Sequence, residues 1–189
     1  PDVYDAINDV NGIDRYRALL AHIAAHHRWS EAIFADNFSP FQRYAVEVLE
    51  DCRVEALAMQ EFPGLRHLFK ALHPRPIEGD CDPDRESCIR HRMAMLSYAT
   101  LDPDHGYDNE DICDFVQRFH EMLKTGEGST QETSMLAVKF VARTRLQSDQ
   151  SADMYFTDTD VDYRDDNRHM WKFFELGDEE EMFDEHDND

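Results

Sequence analysis

The sequence predicts an all-α fold: a helical bundle of five or six helices with an extended acidic segment and a disordered C-terminal tail. Two observations carry this. Apolar side chains recur at three- and four-residue intervals through most of the chain, the period of helices that turn one face to a core. Capping residues and Pro or Gly stops stand where those stretches begin and end. Residues 1–12 read as a lead-in, 13–176 as one helical domain, and 177–189 as an acidic linker or tail with too little apolar matter to fold.

The chain is organised around residues 39–62. Ser39 is placed to cap a helix and Pro40 to occupy its first position. Phe41, Tyr44, Ala45, Val48, Cys52, Ala56 and Met59 form an apolar stripe. Glu47, Asp51 and Glu55 follow at four-residue steps and drift about 40° per step, so that Glu55 reaches the edge of the stripe. A carboxylate there needs an arginine, a histidine or a metal beside it. Residues 14–35 predict the helix before it, with Ile13, Tyr16, Leu20, Ile23, Ala24, His27 and Phe34 inward and His22 and His26 on the opposite, polar side. The two helices are expected to form an antiparallel hairpin.

Pro63 and Gly64 stop the second helix, and 65–72 predicts a short third one. Residues 73–84, with Pro74, Pro76, Gly79 and Pro83, read as an irregular loop. Asp84 is placed to cap a helix over 85–100, and the Asp102-Pro103-Asp104-His105-Gly106 run is a turn. Asp108 opens a helix to Thr125 with Ile112, Phe115, Val116, Phe119 and Leu123 inward. Ser129 and Glu132 have capping-box spacing before a helix carrying Met135, Leu136, Val138, Val141, Ala142 and Leu146. Residues 155–163 alternate as one strand or an extended acidic loop, and 163–175 predicts a last helix with Met170, Trp171 and Phe174.

Charge bounds the function. The formal net charge is −22, and half of it lies between Asp158 and Asp189, where 14 acidic residues face three basic ones. A phosphate backbone would be repelled, so no nucleic-acid partner is expected. No apolar run suits membrane insertion or a signal peptide. Cys52 and Cys113 read as small core residues, and Cys81 and Cys88 flank a loop without a CxxC pair, so the chain reads as reduced and cytoplasmic. A start at Pro1 and an acidic end are those expected of a piece of a longer protein.

Four constellations bear on chemistry. His27, Glu31, Asp51 and Glu55 would converge if the first two helices pair, either as a metal cluster or as a register-fixing network of Arg28, Glu47, Asp51, Arg53 and Glu55. His22 and His26 have metal-ligand spacing but fall on the polar face, where solvent exposure is the expectation. Asp158, Asp160 and Asp162 open like a calcium loop, yet Tyr163 and His169 stand where its glycine and closing glutamate belong, which excludes an EF-hand and leaves a looser cation site as the alternative to a plain acidic loop. Arg164, Arg168, His169 and Trp171 form a charged aromatic run suited to docking, or to tying the last segment to the carboxylate ladder. No nucleophile, base and oxyanion set assembles, so the chain reads as an interaction module and not an enzyme; the alternative is a metal-binding helical enzyme.

Several runs resemble the CbbO/NorD family: His26-His27-Arg28-Trp29-Ser30, Phe41-Gln42-Arg43, Glu50-Asp51-Cys52-Arg53-Val54-Glu55-Ala56, Pro63-Gly64-Leu65-Arg66, the turn ending at Tyr107, and Val161 to His169. The resemblance implies the helical region that precedes a von Willebrand factor A domain. It also implies an adaptor of a hexameric MoxR-type AAA+ ATPase (CbbQ/NorQ-like), acting on Rubisco in the CbbO branch or on nitric oxide reductase in the NorD branch. It implies a bacterial cytoplasmic setting, with carboxysome association in the first branch. It supplies no catalytic residues and no cofactor for this piece, which lacks the DxSxS motif of the adhesion domain.

Overall fold

Helix α2 (Pro40–Glu61) is the axis of the molecule. Ser39 Oγ accepts from the Gln42 backbone N–H, the Gln42 side chain accepts from the Ser39 N–H, and Pro40 sits in the first turn. From Val48 to Glu55 every residue is buried, because α1 (Gly12–Trp29), α3 (Leu65–Leu72), α4 (Ile89–Leu101) and α6 (Thr130–Thr144) all pack against it. The computed structural model describes residues 7–149 and 160–174, and among these six α-helices form an all-α bundle, α5 (Glu110–Lys124) completing it against α4 and α6. The expected tail 177–189 and most of the alternating stretch 155–163 lie outside the described residues.

The main core joins Leu49, Met93, Leu96, Phe115, Phe119 and Phe140 between α2, α4, α5 and α6. A second cluster joins Ala18, Met59, Phe69, Leu72, Leu101 and Tyr163 between α1, α2, α3, the end of α4 and the last segment. The turn after α4 is closed by Asp102, which accepts from Tyr98 Oη and the Asp104 N–H, with Lys70 at 3.1 Å. Gly106 has φ +74°, the left-handed conformation that a side chain would strain.

Several expectations are corrected. Helix α1 ends at Trp29, not Ala35; Ser30 turns extended and its hydroxyl joins the buried network described below. The chain then forms β1 (Ile33–Phe34) and a 3-10 turn. Helix α1 also buries the opposite face from the one its apolar residues suggest. Arg15, Ala18, His22, Ala25 and His26 face inward, whereas Ile13 is 68% exposed and Leu20 46%. Cys81 and Cys88 are joined in a disulfide, so the reading of a fully reduced chain fails and α4 starts only at Ile89. Cys113 is exposed. Helix α5 is capped by Asn109, one residue beyond the expected Asp108. Residues 163–175 do not form a helix: 160–167 run irregularly, followed by a 3-10 turn and β2 (Trp171–Lys172), which pairs in parallel with β1. No helix among the described residues is long and apolar enough to cross a membrane.

Arg53, 1% exposed, donates to both oxygens of Glu50 and to the carbonyls of Trp29 and Glu127. Arg28 instead pairs with Glu61 in solvent and lies outside the network expected for it. Arg53→Ala strands a buried carboxylate and is expected to cost about 3–5 kcal/mol. Arg28→Ala is expected to cost under about 1 kcal/mol. Chemical denaturation of the two variants side by side measures the contrast.

Candidate functional site

Where α1 crosses α2, the segment 160–167 lies over the crossing and closes a buried polar cluster. Its members come from three places in the chain, each contributing a pair one helical turn apart or nearly so: His22 and His26, Asp51 and Glu55, Arg164 and Asn167. Arg164 clamps Glu55 with two hydrogen bonds, of 2.7 and 2.9 Å. His26 Nε2 lies 2.8 Å from Asp51 Oδ1, and Asn167 donates to Asp51 Oδ2 at 3.2 Å. Asn167 adopts a left-handed backbone, φ +53°, a conformation asparagine tolerates better than most residues, and this turns the chain from Arg164 towards β2.

His22 is fully buried and sits among three carboxylates. Its Nδ1 is 3.0 Å from Glu55 Oε1, and its Nε2 is 3.5 Å from both Asp51 Oδ1 and Asp165 Oδ1. Neither nitrogen has a well-directed hydrogen bond, because the short contact to Glu55 is poorly aligned. Burial disfavours its charged form, but Asp165, Glu55 and Asp51 outweigh burial and push its pKa up to about 9. Burial likewise works against the Glu55 carboxylate, yet Arg164 and His22 bring it down to about 2. Asp165 is held at about 2 by its contact with His22.

A second network continues from the first. His26 Nδ1 meets Ser30 Oγ at 2.8 Å, Ser30 Oγ donates to Glu50 Oε1, and Thr130 and Arg53 donate to the same oxygen. A third arm ends at Glu47, which accepts from Trp171 Nε1 at 2.7 Å. Thus Asp51, Arg53 and Glu55 join the expected network, while Glu47 is held beside it by Trp171. The arginine that answers Glu55 is Arg164, and the histidines that meet Asp51 and Glu55 are His22 and His26.

The expected quartet of His27, Glu31, Asp51 and Glu55 does not assemble. His27 and Glu31 are exposed while Asp51 and Glu55 are buried. The exposed setting expected for His22 and His26 is likewise overturned. Of the expected docking run, Arg168 and His169 are exposed, Trp171 is half-buried, and Arg164 is committed to Glu55. The missed ligand-type residue is Asp165. No local period marks it, because the segment that carries it is irregular; further along, His169 packs its ring against His26 with centroids 4.9 Å apart.

Burial, with help from the charges of Asp51 and Asp166, raises the Glu47 carboxyl from 4.5 to about 7. Between those values the folded chain keeps a proton that the unfolded chain releases, so this group's contribution to stability falls as the pH rises through that window. Glu47→Gln is expected to remove that slope, a difference on the order of 2 kcal/mol after allowance for partial exposure. Denaturation of both proteins at pH 4.5 and pH 7.5 measures it.

Compared with family models, with curated proteins and with solved structures, the chain finds no match in any of the three.

Proposed function

We propose that this chain is a non-catalytic adaptor module that works with a hexameric MoxR-type ATPase in the bacterial cytoplasm to activate a target enzyme. The target favoured is Rubisco, with nitric oxide reductase as the alternative branch. The observation that carries the reading is the inverted face of α1. Arg15, His22 and His26 are turned inward, and Ile13, Leu20 and Ile23 are left as an exposed apolar row on a helix fixed to the core. An exposed apolar row on a rigid element suits protein docking. The CbbO/NorD resemblance adds a second support. Its two most specific runs, around Glu50–Glu55 and Tyr163–His169, supply the two halves of one buried network, so the likeness lies in residues that hold the domain together.

The test is capture of the MoxR-type ATPase by the purified chain, with ATPase rate as a second readout. Leu20→Glu and Ile23→Glu should weaken capture at least about tenfold, while costing within about 0.5 kcal/mol of stability because they change exposed positions. Arg168→Ala tests the competing surface on the last segment. Capture unchanged by both glutamate variants and lost with Arg168→Ala would move the docking surface there; no capture by the wild-type chain sinks the adaptor reading. Parallel assays with inhibited Rubisco and with nitric oxide reductase separate the branches.

A further inference from the structure

We propose that the cluster at the α1–α2 crossing binds one divalent transition-metal ion of the zinc class, held by His22 Nε2, His26 Nε2, Asp51 Oδ1 and Asp165 Oδ1.

Three observations converge on these atoms. The first is distance. Asp51 Oδ1 is 3.5 Å from His22 Nε2 and 2.8 Å from His26 Nε2, and Asp165 Oδ1 is 3.5 Å from His22 Nε2. Four ligands at about 2.0–2.2 Å around a tetrahedral ion lie roughly 3.3–3.6 Å from one another. His22, His26 and Asp51 already bring ligand atoms within 4.8 Å of one another; the His26–Asp51 contact must open by several tenths of an ångström, and Asp165, outside that trio, must move in to complete the set.

The second observation is proton bookkeeping. The Ser30 hydroxyl donates its one hydrogen to Glu50, so Ser30 Oγ can only accept from His26, and the His26 proton is on Nδ1. In the neutral ring the Nε2 lone pair then faces the Asp51 carboxylate at 2.8 Å, an arrangement that calls for a proton or a metal cation between them. His22 repeats the pattern: Nδ1 faces Glu55, while the unpartnered Nε2 faces Asp51 and Asp165. Histidines that ligate a metal through one nitrogen characteristically hand the other N–H to a carboxylate, carbonyl or hydroxyl, which fixes the tautomer. The Ser30–Glu50 relay fills that place for His26, Glu55 lies 3.0 Å from His22 Nδ1 without a well-aligned bond, and Asn167 orients the second oxygen of Asp51.

The third observation is charge. Asp51, Glu55 and Asp165 carry three negative charges against the single positive charge of Arg164, while Glu50 is answered separately by Arg53. With both histidines neutral, a dication closes the deficit. Two imidazoles with two carboxylates suit zinc, iron(II) or manganese(II) better than calcium or magnesium, which prefer oxygen alone. The Asp165 side chain is 36% exposed and gives the ion its way in. The competing arrangement is a protonated His22 as the only cation.

The experiment titrates the chelator-treated, tag-free chain with Co²⁺ and then Zn²⁺. Expected are one equivalent of Co²⁺ bound with the visible absorption of a low-symmetry four-coordinate site, its displacement by Zn²⁺, and a raised Tm. Asp165→Asn and His26→Gln should each weaken Co²⁺ binding by at least about tenfold. His27→Ala and Glu31→Gln should leave it unchanged. Circular dichroism checks that each variant is folded. If a ligand variant fails to fold, X-ray absorption of the zinc-loaded wild-type chain decides instead, and two imidazole scatterers are expected. A folded wild-type chain that binds neither ion below about 100 μM overturns the proposal in favour of a protonated His22, as does a bound ion with no imidazole ligand or binding that Asp165→Asn leaves intact.

Discussion

The structure depends on neutralising the charges of a helix that has no solvated face. Eight consecutive residues of α2, Val48 to Glu55, are buried, and Glu50, Asp51, Arg53 and Glu55 are among them. A surface helix discharges its carboxylates into water; an enclosed one must be answered by its neighbours, at several kcal/mol for each charge left alone. Each surrounding piece is therefore placed by what it brings to α2. The start of α6 brings Thr130 to Glu50, and the Glu127 carbonyl just before it accepts from Arg53. The end of α1 brings His22, His26 and Ser30. The last segment, more than a hundred residues away in sequence, brings Arg164 to Glu55 and Asn167 to Asp51. Packing of Leu49, Phe115 and Phe140 supplies the bulk of the apolar burial, but the ionic partners fix which face of each element turns inward.

This explains what could be read from the sequence and what could not. Most of the helices were legible because the signals are local: Ser39 with Pro40, Ser129 with Glu132, and the Pro63-Gly64 stop all act within one turn. The orientation of α1 was not. Ile13, Tyr16, Leu20 and Ile23 are the more apolar stripe, and burial by transfer free energy alone would put them inside. The face that is buried carries Ala18 and Ala25, whose small side chains let α1 approach α2 closely, and His22 and His26, which find carboxylates only in the folded chain. A one-dimensional hydrophobic period cannot register a partner 25 or more residues away.

The last segment was misread for the same reason. Met170, Trp171 and Phe174 have a spacing a helix would accept, but Arg164, Asn167 and Trp171 are each claimed by an α2 side chain. They reach Glu55, Asp51 and Glu47 along an irregular path. The left-handed backbone at Asn167 marks where the irregular stretch meets Asp51 and passes into the 3-10 turn and β2. The Cys81–Cys88 disulfide belongs to another class of miss: no CxxC spacing announces it, and it depends on the loop between Leu72 and Ile89 folding back on itself.

Helix α1 thereby carries two roles on opposite sides. Its inward face is held by ionic contacts, and its outward face presents the apolar row. A helix whose outer face is apolar has little intrinsic reason to keep that face in water; released from α2, it would gain by rolling over and burying Leu20 and Ile23. The contacts of His22 and His26 with Asp51 and Glu55 oppose that roll. Those contacts, with the packing of Ala18 and Ala25, are what keep the apolar row on display: the buried cluster and the exposed row are opposite faces of one helix, and the first fixes the second.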